Sequence, residues 1–162
     1  MYNKILVPVD GSGLAECVLP HVESIAKGCG VKEVIFLRAV EPVSAPYGAI
    51  SDGHLILTES DTAQIRAEID SKNKEAAEQY LNQVVSQQKY AGVKVQSAVV
   101  MGKAADSIAD YATQNDIDLI IIASHGRTGV SRWVLGSVAD RIAHSTCAPV
   151  LIVRAPGCVV GI

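Results

Sequence analysis

The chain has 162 residues, a net charge of −3 and a charged fraction of 19%, values typical of a single globular domain. This charge provides no electrostatic footprint for nucleic acid or for an anionic membrane surface. No stretch approaches about 18 uninterrupted apolar residues, so we expect no transmembrane helix. The apolar run that follows Lys4 is too short for a secretory signal, so we expect no signal peptide. Four cysteines occur without a CxxC pair, and we expect reduced thiols in a cytoplasmic protein.

The chain opens with a strand and a helix. Residues 5–9 are an apolar run that predicts a buried strand, with Pro8 near the point where the strand ends. The run is followed by the turn sequence Asp10-Gly11-Ser12. A helix is predicted over 14–28, with a kink at Pro20 because proline removes a helical hydrogen bond. Its predicted buried face consists of Val18, Val22 and Ile25.

Residues 33–40 form the second predicted strand. The connection 41–58 contains prolines and glycines without clear periodicity, and loops of this length are usually functional or mobile. A long helix is predicted over 59–90, where apolar residues recur at helical spacing. Its predicted buried stripe consists of Ile65, Ile69, Ala76, Tyr80 and Val84.

The remaining elements are three strands and two helices. Residues 94–100 alternate in polarity at first, which favours a strand near an edge of the sheet. A helix over 104–114 follows Gly102, with Ile108 and Tyr111 facing inward. Residues 119–123 are apolar on both faces and predict a central strand. A helix over 137–145 and a strand over 149–153 complete the pattern.

Strands that alternate with helices predict an α/β fold with right-handed crossovers and one open parallel sheet. Ligands of such sheets bind beyond the carboxyl ends of the strands, where the strand order reverses. Asp10 follows the first predicted strand and Ser124 follows the fourth. Two roles stay open for Asp10: contact with a ligand, or capping of the following turn, which Ser12 could do equally well.

A glycine-rich segment connects the fourth predicted strand to the last helix. Glycines let backbone N–H groups approach and surround an anion, and the helix start at Gly136-Ser137 adds unpaired N–H groups and a positive dipole end. Arg127 and Arg132 add positive charge at the rim. The segment is interpreted either as a phosphate-binding loop or as a surface loop in which Ser137 caps the helix.

Several other catalytic or phosphate-binding motifs are absent. No GxxxxGK[ST] motif is present, because Gly102-Lys103 is followed by Ala104, and no GxGxxG follows the first strand. GxSxG and HExxH are absent as well, which argues against an α/β-hydrolase and a zincin. His125 lies inside the glycine-rich segment without a partnered nucleophile, so we expect it to order the loop or contact a phosphate.

Four segments in order resemble the universal stress protein family, in its ATP-binding branch. The family loop Gly-x-x-Gly-x9-Gly-Ser/Thr is matched by Ala123-x-x-Gly126-x9-Gly136-Ser137, with alanine in place of the first glycine. The opening residues 4–12, Gly102 and the closing residues 148–153 are also similar to the family pattern. The resemblance implies one nucleotide-binding domain over 1–154, followed by an apolar tail at 155–162.

The resemblance also implies the details of the fold and of the ligand site. The expected fold is a five-stranded parallel sheet in the order 3-2-1-4-5 with helices on both faces, of the adenine-nucleotide alpha-hydrolase-like type. ATP, ADP or AMP would bind at the carboxyl ends of the first and fourth strands, and Asp10 would face the ribose or a phosphate-bound Mg²⁺. The adenosine contacts implied are Pro8, Val9, Asp10, Ala39 and Val40. The loop and phosphate contacts implied are Ala123, Gly126, Arg127, Gly136, Ser137 and Val138. Ala123 fits this role if its φ is negative, whereas a positive φ would put binding in doubt.

The function indicated is that of a regulatory ATP-binding protein, which the family resemblance pairs with a homodimer through the last strand. No dedicated base for activating water is evident, so any catalysis would be slow ATP hydrolysis or self-phosphorylation. Two alternatives stay open: an adenylyl-transfer or ATP-hydrolysing enzyme on the same fold, and a dimeric interaction module without nucleotide. The nucleotide that co-purifies with the protein would distinguish these functions.

Overall fold

A computed structural model of the chain describes residues 2–44, 59–124 and 136–154. Five parallel strands form one sheet in the order β3-β2-β1-β4-β5. The strands are β1 Lys4–Pro8, β2 Glu33–Val40, β3 Lys94–Met101, β4 Leu119–Ala123 and β5 Val150–Val153. The helices are α1 Leu19–Gly28, α2 Glu59–Gln87, α3 Ala104–Gln114 and α4 Ser137–Ser145, and a short 3-10 turn spans Ala15–Val18.

The strand order confirms the expected topology, and β1 lies at the centre of the sheet. Because β4 is flanked by β1 and β5 and covered on both faces, each of its five residues is buried. β3 lies at one edge, as its alternating polarity predicts, and β5 lies at the other. Pro8 is the last residue of β1, so its missing N–H does not interrupt the pairing of β1 with its neighbouring strands.

The sheet separates two hydrophobic cores. The first contains Val18, Val22 and Leu81 and lies under α1 and α2. The second contains Ile108, Ala139 and Ile142 and lies under α3 and α4. Successive residues of a strand point to opposite faces, so each central strand contributes to both cores. The sheet is thus covered by helices on both sides, and its carboxyl edge is left for the loops.

The segment at 14–28 differs from the predicted single kinked helix. The 3-10 turn at Ala15–Val18 comes first, and the α-helix begins at Leu19. Pro20 therefore lies in the first turn of α1, where a proline removes an N–H group that has no helical partner in any case. The prediction of a kink at Pro20 was wrong because the helix begins later than the apolar pattern does.

The predicted buried stripe of α2 also needs correction. Ile65 and Ile69 are 43% and 38% exposed, and Ala76 is exposed as well. The buried positions lie in the second half of the helix, at Ala77, Leu81 and Val84, with Tyr80 half-buried beside them. The helix ends at Gln87 rather than at residue 90. α2 thus packs on the sheet through its C-terminal half, whereas periodicity alone assigns the stripe to its whole length.

No helix within these described ranges is long and apolar enough to cross a membrane.

Candidate functional site

A cavity of about 210 Å³ opens at the carboxyl ends of β1, β2 and β4. This is the position at which open parallel sheets bind ligands, because β1 and β4 are the neighbours between which the strand order reverses. Eight residues expected at the site line this cavity: Pro8, Val9, Asp10, Ala39, Ala123, Gly136, Ser137 and Val138. The fold therefore brings together residues from four separate parts of the chain.

The Asp10 carboxylate is held in place by the turn that follows β1. Its Oδ1 accepts hydrogen bonds from the Ser12 backbone N–H at 2.9 Å and from the Ser12 hydroxyl at 2.6 Å. The Ser12 Oγ in turn accepts a hydrogen bond from the Ala15 N–H at 3.2 Å. Asp10 and Ser12 thus share the capping role, while Asp10 also lines the cavity. The two roles that the sequence leaves open are both compatible with this geometry.

The first turn of α4 forms the opposite wall of the cavity. Gly136 is the N-cap residue, with φ −55° and ψ 141°, and Ser137 is the first helical residue. The interpretation of Ser137 as the helix cap was therefore wrong. The Asp140 N–H makes the first helical bond, to the Gly136 carbonyl, so the N–H groups of Ser137, Val138 and Ala139 have no partner within the helix. These three groups and the helix dipole make this wall attractive to an anion.

A backbone hydrogen bond joins the residue after β4 to the start of α4, at the two ends of the glycine-rich segment. The Gly136 N–H donates to the Ser124 carbonyl at 2.7 Å, and the Ser124 N–H donates to the Val153 carbonyl at 2.7 Å. Ser124 is 3% exposed and lines the cavity. The end of β4 and the start of α4 are therefore held together independently of the residues between them.

Ala123, which replaces the first glycine of the family loop, lines the cavity and is also part of a hydrophobic core. Its side chain belongs to the core under α1 and α2, together with Leu119 and Ile121, whereas Ile120 and Ile122 belong to the other core. In the described part of the chain, the one non-glycine residue with positive φ is Asp116, so the backbone of Ala123 is compatible with a side chain.

Sequence reasoning missed five lining residues: Ala15, Ala104, Ile108, Ile122 and Ala139. They are small or aliphatic, and they come from the 3-10 turn, α3, β4 and α4. Ser124 also lines the cavity, as its position after the fourth predicted strand indicates. Ala104 and Ile108 carry no such signal, since only the packing of α3 beside β2 brings them to the cavity.

Three expected site residues lie elsewhere or outside the described ranges. Val40 is buried at the end of β2, and its carbonyl accepts a hydrogen bond from the Gly102 N–H at 2.9 Å. Gly126 and Arg127 lie outside the described residues, as do His125 and Arg132. The same holds for residues 45–58 of the long connection and for the tail at 155–162.

The cavity lining is mostly apolar, with one titratable side chain, Asp10, among the described residues that form it. Over the described ranges, no group of three or more His, Cys, Asp or Glu side chains is placed to hold a metal ion. Mg²⁺ usually binds through one or two carboxylates together with substrate phosphates, and Asp10 fits that limited role. The site can therefore combine an apolar region for a flat ring with backbone N–H groups for an anion.

A model of the universal stress protein family matches residues 1–154 of the chain. The chain belongs to the universal stress protein family. Two relatives in the family come from Methanocaldococcus jannaschii. Universal stress protein MJ0577 is 31% identical over 95% of this chain and 96% of its own length. Universal stress protein MJ0531 is 30% identical over 96% of this chain and 84% of its own length.

Solved structures agree with this family assignment. The structure of MJ0577 superposes with a TM-score of 0.78 at 29% identity and covers 97% of this chain and 99% of that chain. A universal stress protein family protein from Arabidopsis thaliana with AMP bound has a TM-score of 0.62 at 16% identity. It covers 96% of this chain and 93% of that chain, and at this identity it shows the fold alone.

Proposed function

We propose that this universal stress protein binds an adenine nucleotide, primarily ATP, as a regulatory ligand in the cytoplasm. One observation carries the proposal: a cavity lies where the carboxyl ends of β1 and β4 meet the unpaired N–H groups of α4. Sheet topology and helix electrostatics each favour a phosphate-bearing ligand at this point.

The two ends of the cavity suit the two ends of a nucleotide. Ala39, Ile108 and Ile122 provide aliphatic surface against which a purine ring can pack. Ser137 and Val138 provide backbone N–H groups to phosphate oxygens. A family protein from Arabidopsis thaliana has been solved with AMP bound, which supports an adenine nucleotide as the ligand.

Asp10 has a defined role in this proposal. Two hydrogen bonds from Ser12 fix the position of its carboxylate at the edge of the cavity. There it would accept a ribose hydroxyl or approach a phosphate-bound Mg²⁺. ATP affinity would then depend on Mg²⁺ because the cation separates two negative groups.

We also propose a homodimer through β5, with residues 1–154 as the nucleotide-binding domain and 155–162 as an apolar extension of the contact. β5 is an edge strand, and Leu151 on it is 37% exposed. An apolar edge strand presents unpaired backbone groups that a second copy can satisfy. Regulation by ATP would then act on a symmetric assembly.

Substitution of Gly136 tests the nucleotide site. Isothermal titration should give a micromolar Kd for Mg-ATP, about −8 kcal/mol. Gly136→Val should weaken binding about tenfold or more, because its methyl groups obstruct the N–H groups of α4 and one charge-assisted hydrogen bond is worth ~1.5–3 kcal/mol. Its φ of −55° is one that any residue adopts, so the variant should fold.

Gly28→Val is the matched control. Gly28 is exposed at the end of α1, has nothing within 4 Å of an added Cβ and does not line the cavity. Its Kd should equal that of the parent protein. If the parent shows neither heat nor a thermal shift with millimolar Mg-ATP, the proposal is refuted and the dimeric interaction module gains support. If the parent turns over ATP rapidly, the enzyme alternative replaces a regulatory role.

A further inference from the structure

A small network of charged and aromatic residues lies beside the cavity, on the face of the sheet that α1 and α2 cover. Arg38 on β2 places its guanidinium carbon 5.3 Å from the centroid of the Tyr80 ring on α2. The Tyr80 hydroxyl donates a hydrogen bond to the Glu16 carboxylate at 3.0 Å. These residues join β2, α2 and the 3-10 turn on the face opposite to α3 and α4. None of the three lines the cavity.

Tyr80 is held firmly within this network. Burial, the hydrogen bond to Glu16 and the charge of that carboxylate raise the pKa of Tyr80, and the nearby Asp10 charge adds to the effect, while Arg38 opposes it. The phenol therefore stays a neutral donor, and its ring remains available to the guanidinium. The C-terminal half of α2, which is the half that packs on the sheet, thus fixes the position of Arg38.

The Arg38 guanidinium lies against the turn that carries Asp10. Gly11 has φ +84°, and a Cβ at this position would lie 3.2 to 3.4 Å from three guanidinium atoms of Arg38. The near-equal distances indicate that the flat face of the guanidinium covers Gly11. The positive φ favours glycine here, and a Cβ would in addition crowd the guanidinium. A positive charge thus lies against Gly11, the residue that follows Asp10.

The other side of the same turn faces the cavity. Asp10 lines it, and the Ser12 N–H and hydroxyl bind the Asp10 carboxylate. The turn thus meets the ligand cavity through Asp10 and the Arg38 guanidinium through Gly11. A shift of the guanidinium would move the backbone of Gly11 and with it the carboxylate of Asp10.

We propose that Arg38 is a positioning residue for the nucleotide site: held by Tyr80, which Glu16 anchors, it supports the Asp10–Ser12 turn at Gly11 and offsets the carboxylate charge near the phosphates. This inference rests on the proposed binding of ATP in the cavity. It assigns to α2, which contributes no residue to the cavity lining, a role in setting nucleotide affinity.

Arg38→Met removes the guanidinium and keeps an apolar stem. We expect the Kd for Mg-ATP to rise about fivefold, because the turn that carries Asp10 loses its support and the positive charge beside it. The rise should be smaller for adenosine, which has no phosphates to be repelled by Asp10. Arg38→Lys should restore part of the affinity, because it keeps the charge but not the planar contact. Lys94→Met is the charge-matched control, since Lys94 lies at the opposite end of the strands and should leave the Kd unchanged.

Hydrogen exchange provides a readout in the ligand-free protein. The Ser12 and Ala15 amides, which are bonded within the turn, should exchange faster in Arg38→Met, while the urea midpoint stays near that of the parent. Tyr80→Phe, which removes only the hydroxyl bond to Glu16, should show the same effects more weakly and serves if Arg38→Met fails to fold.

The outcomes separate this inference from the function on which it rests. A parent protein that binds no Mg-ATP refutes the nucleotide function, and the inference with it. The inference alone is overturned if the parent binds Mg-ATP and the variants bind Mg-ATP and adenosine with the parent's Kd values. The Ser12 and Ala15 amides of the variants would then also exchange at the parent rate.

Discussion

Gly102 has a backbone conformation that side chains rarely adopt. Its φ is +137°, and a Cβ at this position would lie 2.5 Å from the Ser107 hydroxyl oxygen. Its N–H also donates to the Val40 carbonyl, which ties the start of α3 to the end of β2. The positive φ and the short contact with Ser107 both favour glycine at this position, which lies just before α3.

Gly102→Ala should therefore lower the free energy of unfolding by about 2–3 kcal/mol, from backbone strain plus the clash with Ser107. Urea denaturation measures this loss. Adding Ser107→Ala should recover the steric part only, because Ser107 Cβ lies 3.9 Å from the added Cβ. Equal stabilities of Gly102→Ala and the parent would contradict the argument.

Ala123 marks the departure of this chain from the family loop, and its methyl group packs in the core under α1 and α2. Ala123→Gly should cost about 1–2 kcal/mol of stability, because it removes a buried methyl group and adds backbone freedom within β4. The Kd for Mg-ATP should stay within about twofold of the parent value, since Ala123 has no positive φ that would require glycine. A clear gain in affinity in the titration would instead mean that the methyl narrows the site.

At the scale of elements, the Asp118 carboxylate joins the amino ends of β1 and β4. Asp118 precedes β4, and its Oδ2 accepts hydrogen bonds from the Asn3 and Lys4 N–H groups, both at 2.8 Å. The Lys4 ammonium donates to the Asn115 carbonyl at 2.8 Å. These bonds hold the amino ends of β1 and β4 together at the end of the sheet opposite to the cavity.

Asp118→Ala should lower the free energy of unfolding by about 1.5–3 kcal/mol, because two backbone N–H groups lose a charged acceptor. Thermal and urea denaturation both measure it. Asp110→Ala is the control, since Asp110 is exposed on α3 and its loss should change stability by less than about 0.5 kcal/mol. Similar losses in both variants would show that general charge, rather than the strand junction, is responsible.

At the scale of the whole molecule, the sheet has two edges of different character. β3 is polar in alternation and begins with Lys94, which pairs with Glu33. β5 is short, apolar and bordered by the residues that lead to the C-terminus. Charged residues on an edge oppose further pairing, whereas an apolar edge favours it. The β5 edge is therefore the better surface for a second copy.

Light scattering should give about twice the 17.1 kDa chain mass for the parent protein. Leu151→Lys should shift the protein to a monomer at tens of micromolar, because it places a charge in the centre of the proposed contact. Ile65→Lys is the matched control on α2, where a similarly exposed aliphatic side chain lies away from β5, and its mass should stay that of a dimer. A parent protein that is monomeric at this concentration would refute the dimer.

The sequence by itself determined the strands and the helices near the cavity. Hydrophobic periodicity is local, so residues 119–123 predict a buried strand without reference to any partner. The glycine pattern at 126 and 136 is local too, and it identified the wall formed by Gly136 and Ser137. The strand order and the assignment of adenosine contacts came from the family resemblance, because local patterns do not determine which strands pair.

Only the tertiary structure decided which positions of these elements meet. Ile65 and Ile69 have the same spacing as buried residues, yet α2 packs only through its C-terminal half. Pro20 lies at a helix start because the preceding residues form a 3-10 turn. Arg38 covers Gly11 although 27 positions separate them (38 − 11 = 27). Such contacts depend on the path of the whole chain, and no pattern in a short stretch of sequence encodes that path.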